Sequence, residues 1–180
     1  MGERRLLLLR HTKSSWDDPR LDDHDRPLAE RGRDALPRLR HHLAQHAPPI
    51  DLVLCSSALR ARQTFEGVRS ALDDDVEVVT ERSLYLPEVS TLIARLRAVP
   101  EPVRGVLLVG HNPSLEDLIG ALAGTGESAA LEQAATKVPT GALAELRVPE
   151  TWSALDPGVC HLASLVIPKR LPDPPAGAVQ

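Results

Sequence analysis

Four short apolar runs constrain the fold more than any other feature. They are Arg5-Leu-Leu-Leu-Leu9, Asp51-Leu-Val-Leu-Cys55, Val76 to Val79 and Gly105-Val-Leu-Leu-Val109. Arg5 to Leu9 is continuous and apolar and reads as a central strand covered on both faces, and Val76 to Val79 reads as a short strand. Two further strands are expected at Leu143 to Val148 and His161 to Ile167. The partial alternation of Leu143 to Val148 suits a place nearer a sheet edge. Helical segments fall between the strands, over Glu30 to Gln45, Ala58 to Leu72, Val89 to Ala98 and Ser114 to Ala123. In the first, Ala35, Leu36, Leu39 and Leu43 follow the helical period, and Pro37 should kink the helix or delay its start. Strands alternating with helices predict an α/β protein, a three-layer α/β/α sandwich with a mostly parallel central sheet. Trp16 to Pro27 and Gly124 to Pro139 read as loops, the second with room for a short helix around Leu131 to Ala135. Residues 1–170 are expected to form one domain, and the proline-rich stretch 171–180 a flexible tail.

The chain has 180 residues, 42% of them hydrophobic, enough for one core. Its net charge of -4 and 2% aromatic content give no basic face and no stacking platform, which argues against nucleic acid. The opening apolar run is too short for a secretory signal or a membrane span, so a cytoplasmic protein without membrane contact is expected. Cys55 and Cys160 form no metal or disulfide pattern and read as buried thiols.

In an open α/β sheet, ligands gather beyond the carboxyl ends of the strands. The first strand delivers Arg10 and His11 there. The strand at 105–109 delivers Gly110 and His111. The strand at 51–55 delivers Ser56 and Ser57, with Arg60 and Arg62 opening the next helix. Guanidinium forks match phosphate oxygens, helix N-termini favour anions, and an imidazole can attack phosphorus or carry a proton. A metal site built from His11, His111 and Asp22, Asp23 or Asp25 is the rival. Arginines in the same pocket oppose a cation, and no His-Glu-x-x-His spacing occurs, so no metal and no cofactor are expected. His24, His41, His42 and His46 read as surface histidines, and His161 is given no role.

Leu9-Arg10-His11, Arg26-Pro27-Leu28 with Gly32, Ser56-Ser57-Ala58-Leu59-Arg60-Ala61-Arg62-Gln63-Thr64 and Gly110-His111-Asn112 together resemble the histidine phosphatase superfamily, with its phosphoglycerate mutase-like fold. The resemblance runs from Leu6 to about Ile167. The short chain, Arg10-His-Thr-Lys-Ser-Ser-Trp16 and Gly110-His-Asn-Pro-Ser-Leu-Glu-Asp117 are similar to the SixA-type phosphohistidine phosphatase branch.

The resemblance implies that His11 is the nucleophile, forming a phosphohistidine intermediate without metal. Arg10, Arg60 and His111 would hold the phosphoryl group. Arg62 is placed at the rim or in a structural ion pair, and Ser57 at the rim or, preferably, as a helix cap. Many members carry a glutamate general acid after the third strand. Here the matching position falls near Tyr85 or Leu86, with Glu81 and Glu88 flanking it as stand-ins. A phosphohistidine substrate tolerates that loss, because its leaving imidazole can already carry a proton. Few insertions cover the pocket, which suits a phosphorylated side chain on a folded protein. The expected partner is therefore a phosphohistidine protein. The alternatives are a small phosphorylated metabolite as substrate, or a phospho-ligand binding protein with weak turnover.

Overall fold

The computed structural model describes residues 3–175. Its seven strands are β1 Arg4–Arg10, β2 Leu52–Ser56, β3 Glu77–Glu81, β4 Gly105–Gly110, β5 Ala123–Gly126, β6 Leu143–Val148 and β7 Cys160–Val166. They form one sheet in the order β3-β2-β4-β1-β6-β7-β5. Every pairing is parallel except the two made by β6. The expected sandwich is therefore present, with a mostly parallel sheet.

The consecutive leucines are explained by both faces being covered. Leu6 and Leu8 of β1 pack with Leu54, Leu108 and the helices α4 (Val89–Arg97) and α5 (Ser114–Leu122). Leu7 and Leu9 pack on the opposite face with Val53, Val109 and the helices α2 (Leu36–His46) and α3 (Leu59–Val68). Each leucine that loses its contact with water contributes about 1.5–3 kcal/mol. A polar residue at any of the four positions would forfeit that on one face or the other.

Two expectations are corrected. The segment 30–45 is two helices, α1 Glu30–Asp34 and α2, and Pro37 lies in the first turn of α2, where its missing N–H costs nothing. Leu143 to Val148 is β6, fifth of the seven strands and nearer an edge than β1. It lies between β1 and β7, and its polar positions face cross-strand partners, as when Glu145 accepts from Arg5 at 3.0 Å. The stretch read as a loop from Gly124 to Pro139 contains most of β5 and the helix α6, Ser128–Thr136. Of the expected tail, residues 171–175 are described, and there the Asp173 carboxylate accepts from Arg38 Nε at 2.7 Å. Residues 176–180 lie outside the described residues.

Candidate active site

Register brings the two sequence-distant histidines together. β1 and β4 run parallel with Leu9 opposite Val109 and Arg10 opposite Gly110. His11 continues the ladder, its N–H donating to the Gly110 carbonyl at 3.0 Å. The His11 and His111 rings therefore end 5.0 Å apart, centroid to centroid. β2 flanks β4 on its other side with Cys55 opposite Val109, which sets the Ser56 hydroxyl 2.7 Å from His111 Nε2.

The backbone around His11 fixes its chemistry. Nδ1 lies 2.7 Å from the Thr12 carbonyl oxygen. A carbonyl only accepts, so Nδ1 carries the hydrogen and Nε2 keeps its lone pair. Arg60 Nε–H donates to that Nε2 at 3.3 Å. Burial, with smaller contributions from the Arg60 and Arg10 charges, pushes the His11 pKa down to about 4. Burial and the neighbouring His11 and Arg60 charges push His111 down to about 3. Both imidazoles are neutral at pH 7. Buried His111 Nδ1 has no hydrogen-bond partner among the described residues. If the Ser56 hydroxyl donates to Nε2, that Nδ1 is an N–H free to donate.

Thr64, one helical turn after Arg60, ties these parts together. Its hydroxyl donates to the Arg60 carbonyl at 2.7 Å and accepts the Thr12 N–H at 3.1 Å. Gly141 secures the other side. Its N–H reaches the carbonyls of Arg10 and His11 at 3.0 and 3.1 Å, and it adopts φ +77°, a conformation glycine takes without strain. Gly32 serves close approach instead, since a Cβ there would stand 2.2 Å from the Lys13 carbonyl oxygen.

The loop after β1 folds over Arg60. Arg60, only 4% exposed, donates from Nη2 to Asp23 Oδ2 at 2.8 Å and from Nη1 to the Asp23 carbonyl. The Tyr85 hydroxyl donates to the same Oδ2 at 2.6 Å, and Arg26 Nη1 to Oδ1 at 2.9 Å. These donors hold the Asp23 pKa down to about 2, with the Tyr85 hydrogen bond the largest cause. A carboxylate thus occupies the guanidinium fork that a phosphoryl group would need. Arg26 is itself anchored by Ser14 Oγ and the Ser15 carbonyl, each at 2.8 Å, and it stacks on Trp16.

The remaining residues singled out from the sequence are placed as follows. Arg10 Nη1 donates to the Val138 carbonyl at 2.7 Å, while its buried Nε has no hydrogen-bond partner among the described residues. Its charge still lowers the His11 pKa. Burial lowers the pKa of Arg10 itself, partly offset by Glu116. Ser57 is not a cap. Ala58 holds the N-cap position of α3, and Ser57 Oγ instead lies 2.8 Å from His24 Nε2. His24 is accordingly half-buried at the pocket edge, beside the Tyr85 ring, and not a plain surface histidine. Arg62 lines a separate surface hollow with Leu59, Glu66 and Val78. Glu81 accepts from Arg95 at 2.8 Å and from Ser83 at 3.0 Å, and Glu88 is exposed at the N-cap of α4. Both cysteines are free and buried, which pushes their pKa values up to about 12 for Cys55 and about 11 for Cys160. Among the described residues, no group of three or more His, Cys, Asp or Glu side chains is placed to hold a metal ion. No described helix is long and apolar enough to cross a membrane.

From the sequence, Asp23 has only a rival metal role, Tyr85 only the place of a missing acid, and Ser56 and Thr64 only a place at the strand end and in the motif. Thr64 closes a recognisable motif and was within reach of such a reading. The Asp23–Arg60 and Asp23–Tyr85 contacts span 37 and 62 residues, and no local pattern announces them.

Comparison with known proteins fits this architecture. The model of the histidine phosphatase superfamily (branch 1) matches residues 6–85. A Mycobacterium tuberculosis (strain H37Rv) protein of uncharacterised function is 35% identical over 164 residues, covering 89% of this chain and 100% of that protein. A solved structure of a candidate phosphohistidine phosphatase SixA from Nakamurella multipartitia superposes with TM-score 0.81 at 28% identity, over 93% of this chain and 98% of that one. Its counterpart from Agrobacterium tumefaciens gives TM-score 0.78 at 29% identity, over 93% and 99%. The chain belongs to the histidine phosphatase superfamily, in its SixA-like branch. Its general activity is that class's, phosphoryl hydrolysis.

Proposed function

We propose that the chain is a protein phosphohistidine phosphatase that works through a covalent phosphoryl group on His11. The observation that carries this reading is His11 Nε2, an unprotonated nitrogen aligned by the Thr12 carbonyl and 3.3 Å from Arg60 Nε. His11 Nε2 attacks phosphorus, and the bond from phosphorus to the substrate's imidazole nitrogen breaks. The electron pair returns to that nitrogen. If the substrate ring carries a proton on its other nitrogen, it departs as neutral imidazole. Water then attacks the phosphoryl-His11, releases phosphate and restores the lone pair on Nε2, its proton passing to solvent or phosphate. Arg60, Arg10 and the free nitrogen of His111 stabilise charge on the phosphoryl oxygens.

The proton inventory favours a P–N bond over an ester. An alkoxide leaving group needs an acid. Glu81 is committed to Arg95, Glu88 is exposed, and Asp23 is already ionised. The two SixA candidates of known structure carry the same suggestion by similarity.

The test is phosphate release from a phosphohistidine protein and from an aryl phosphate ester, in EDTA, with His11→Ala alongside. The expected result is faster release from phosphohistidine, undiminished by EDTA, and loss of roughly a thousandfold or more in the variant. Faster ester cleavage would instead favour a small-metabolite phosphatase. Full activity in His11→Ala would remove the nucleophile from the scheme.

A further inference from the structure

Beside the histidine pocket, at the carboxyl ends of β1 and β7, lies a second concavity of about 470 Å³. Six cations line it: Arg10, Lys13, Arg31, Arg38, Lys137 and Lys169. Asp34 is its one acidic lining residue. This is an unusual concentration in a chain whose net charge is -4. Arg38 is neutralised by Asp173. Lys13, Arg31, Lys137 and Lys169 are exposed and make no ion pair among the described residues. None of them is needed to hold the fold through a salt bridge.

The cleft is continuous with the site through Arg10, which lines it and immediately precedes His11. On the side of His11 where Arg60 lies, the Asp23 carboxylate is already paired with Arg60 and Arg26. A substrate approaching His11 therefore meets, in this cleft, cations without an ion-pair partner among the described residues.

We propose that this cleft docks an acidic segment of the protein substrate, next in space to the phosphorylated side chain. Carboxylates spaced along a peptide match several separated cations better than one compact anion does. Ala35, Pro139, Ile167 and Pro168 supply apolar wall for the side-chain stems and backbone between the charges. No described residue lining the cleft is aromatic, so a nucleotide base would find nothing there to stack on. Charges exposed at a rim act mainly on encounter and on salt dependence.

The identity of the substrate rests on the phosphohistidine reading, but docking can be measured without turnover. A fluorescein-labelled, phosphate-free peptide of alternating Glu and Ala would be titrated with the full chain and followed by anisotropy. The comparison is the doubly charge-reversed variant, Lys137→Glu with Lys169→Glu. Wild type should bind more weakly as salt rises, and the variant should bind about tenfold more weakly than wild type at low salt. For a phosphohistidine protein with acidic flanks, kcat/KM should fall by about the same factor through KM, while hydrolysis of free phosphoimidazole stays level.

Equal peptide affinity in variant and wild type would overturn the proposal. So would equal binding of a Lys-Ala control peptide. Preferential capture of inorganic tripolyphosphate would overturn it in favour of a small-polyanion site. Peptide binding that depends on the two lysines, without phosphohistidine turnover, would uphold docking and sink the proposed reaction.

Discussion

Acidification should unfold this protein through its two pocket histidines. An unfolded histidine titrates near 6.5, whereas His11 titrates near 4 and His111 near 3 in the fold. Between those values the unfolded chain binds protons that the folded chain refuses. Stability therefore rises with pH through this window and is lost as pH falls from about 6.5 towards 4. From pH 7 to pH 5 the linkage relation gives a loss of roughly 2 kcal/mol for each ring, about 4 kcal/mol for both. That is a large share of the 5–15 kcal/mol typical of a domain. Asp23 titrates near 2 and stays outside this interval. The assay is urea unfolding at pH 7 and pH 5 for wild type and for the double variant His11→Asn, His111→Gln. Each protein is its own reference, so lost hydrogen bonds cancel in the difference between the two pH values. The variant should lose about 4 kcal/mol less than wild type over the interval. An identical pH dependence in both proteins would refute the reasoning, because the rings would then titrate alike folded and unfolded.

Asp23→Asn removes the anion seated on Arg60 and should tighten inorganic phosphate by about tenfold, from the loss of one unit-charge repulsion at a partly exposed site. Calorimetric titration reads this directly, and weaker binding would mean that the carboxylate chiefly positions Arg60. Gly32→Ala drives a methyl group into the Lys13 carbonyl oxygen and should cost about 1–3 kcal/mol in a denaturant titration. An unchanged midpoint would show that the backbone between His11 and α1 yields freely.

The sheet was legible where burial on both faces left no polar alternation to misread. Arg5 to Leu9 and Gly105 to Val109 fall within the observed strands β1 and β4. β5, with the sequence Ala-Gly-Thr-Gly, was not legible. It has little β propensity of its own and exists by pairing with β7 across a register shift. Leu143 to Val148 was legible through its partial alternation, which suits the fifth place of seven. Its Glu145 is satisfied by Arg5 on the neighbouring strand. At the site, strand ends announced His11 and His111 because the ladder itself brings them together. Ser57 shows the limit of local rules. Its position before a helix favours a cap, yet a histidine 33 residues away takes the hydroxyl. Asp23 lies in a segment with no periodicity, and only the closed structure reveals where its charge rests.

The sheet order carries a consequence for synthesis. β1 is made first but sits fourth of seven, between β4 and β6. Its two hydrogen-bonding partners, Gly105–Gly110 and Leu143–Val148, are translated long after it. At about 5–20 residues per second the ribosome needs roughly ten seconds or more to deliver the second of them. During that interval a strand with four consecutive leucines has neither neighbour, and His11 beyond its end has no pocket. The His11–His111 pair, 5.0 Å apart in the fold, therefore cannot form on a half-made chain.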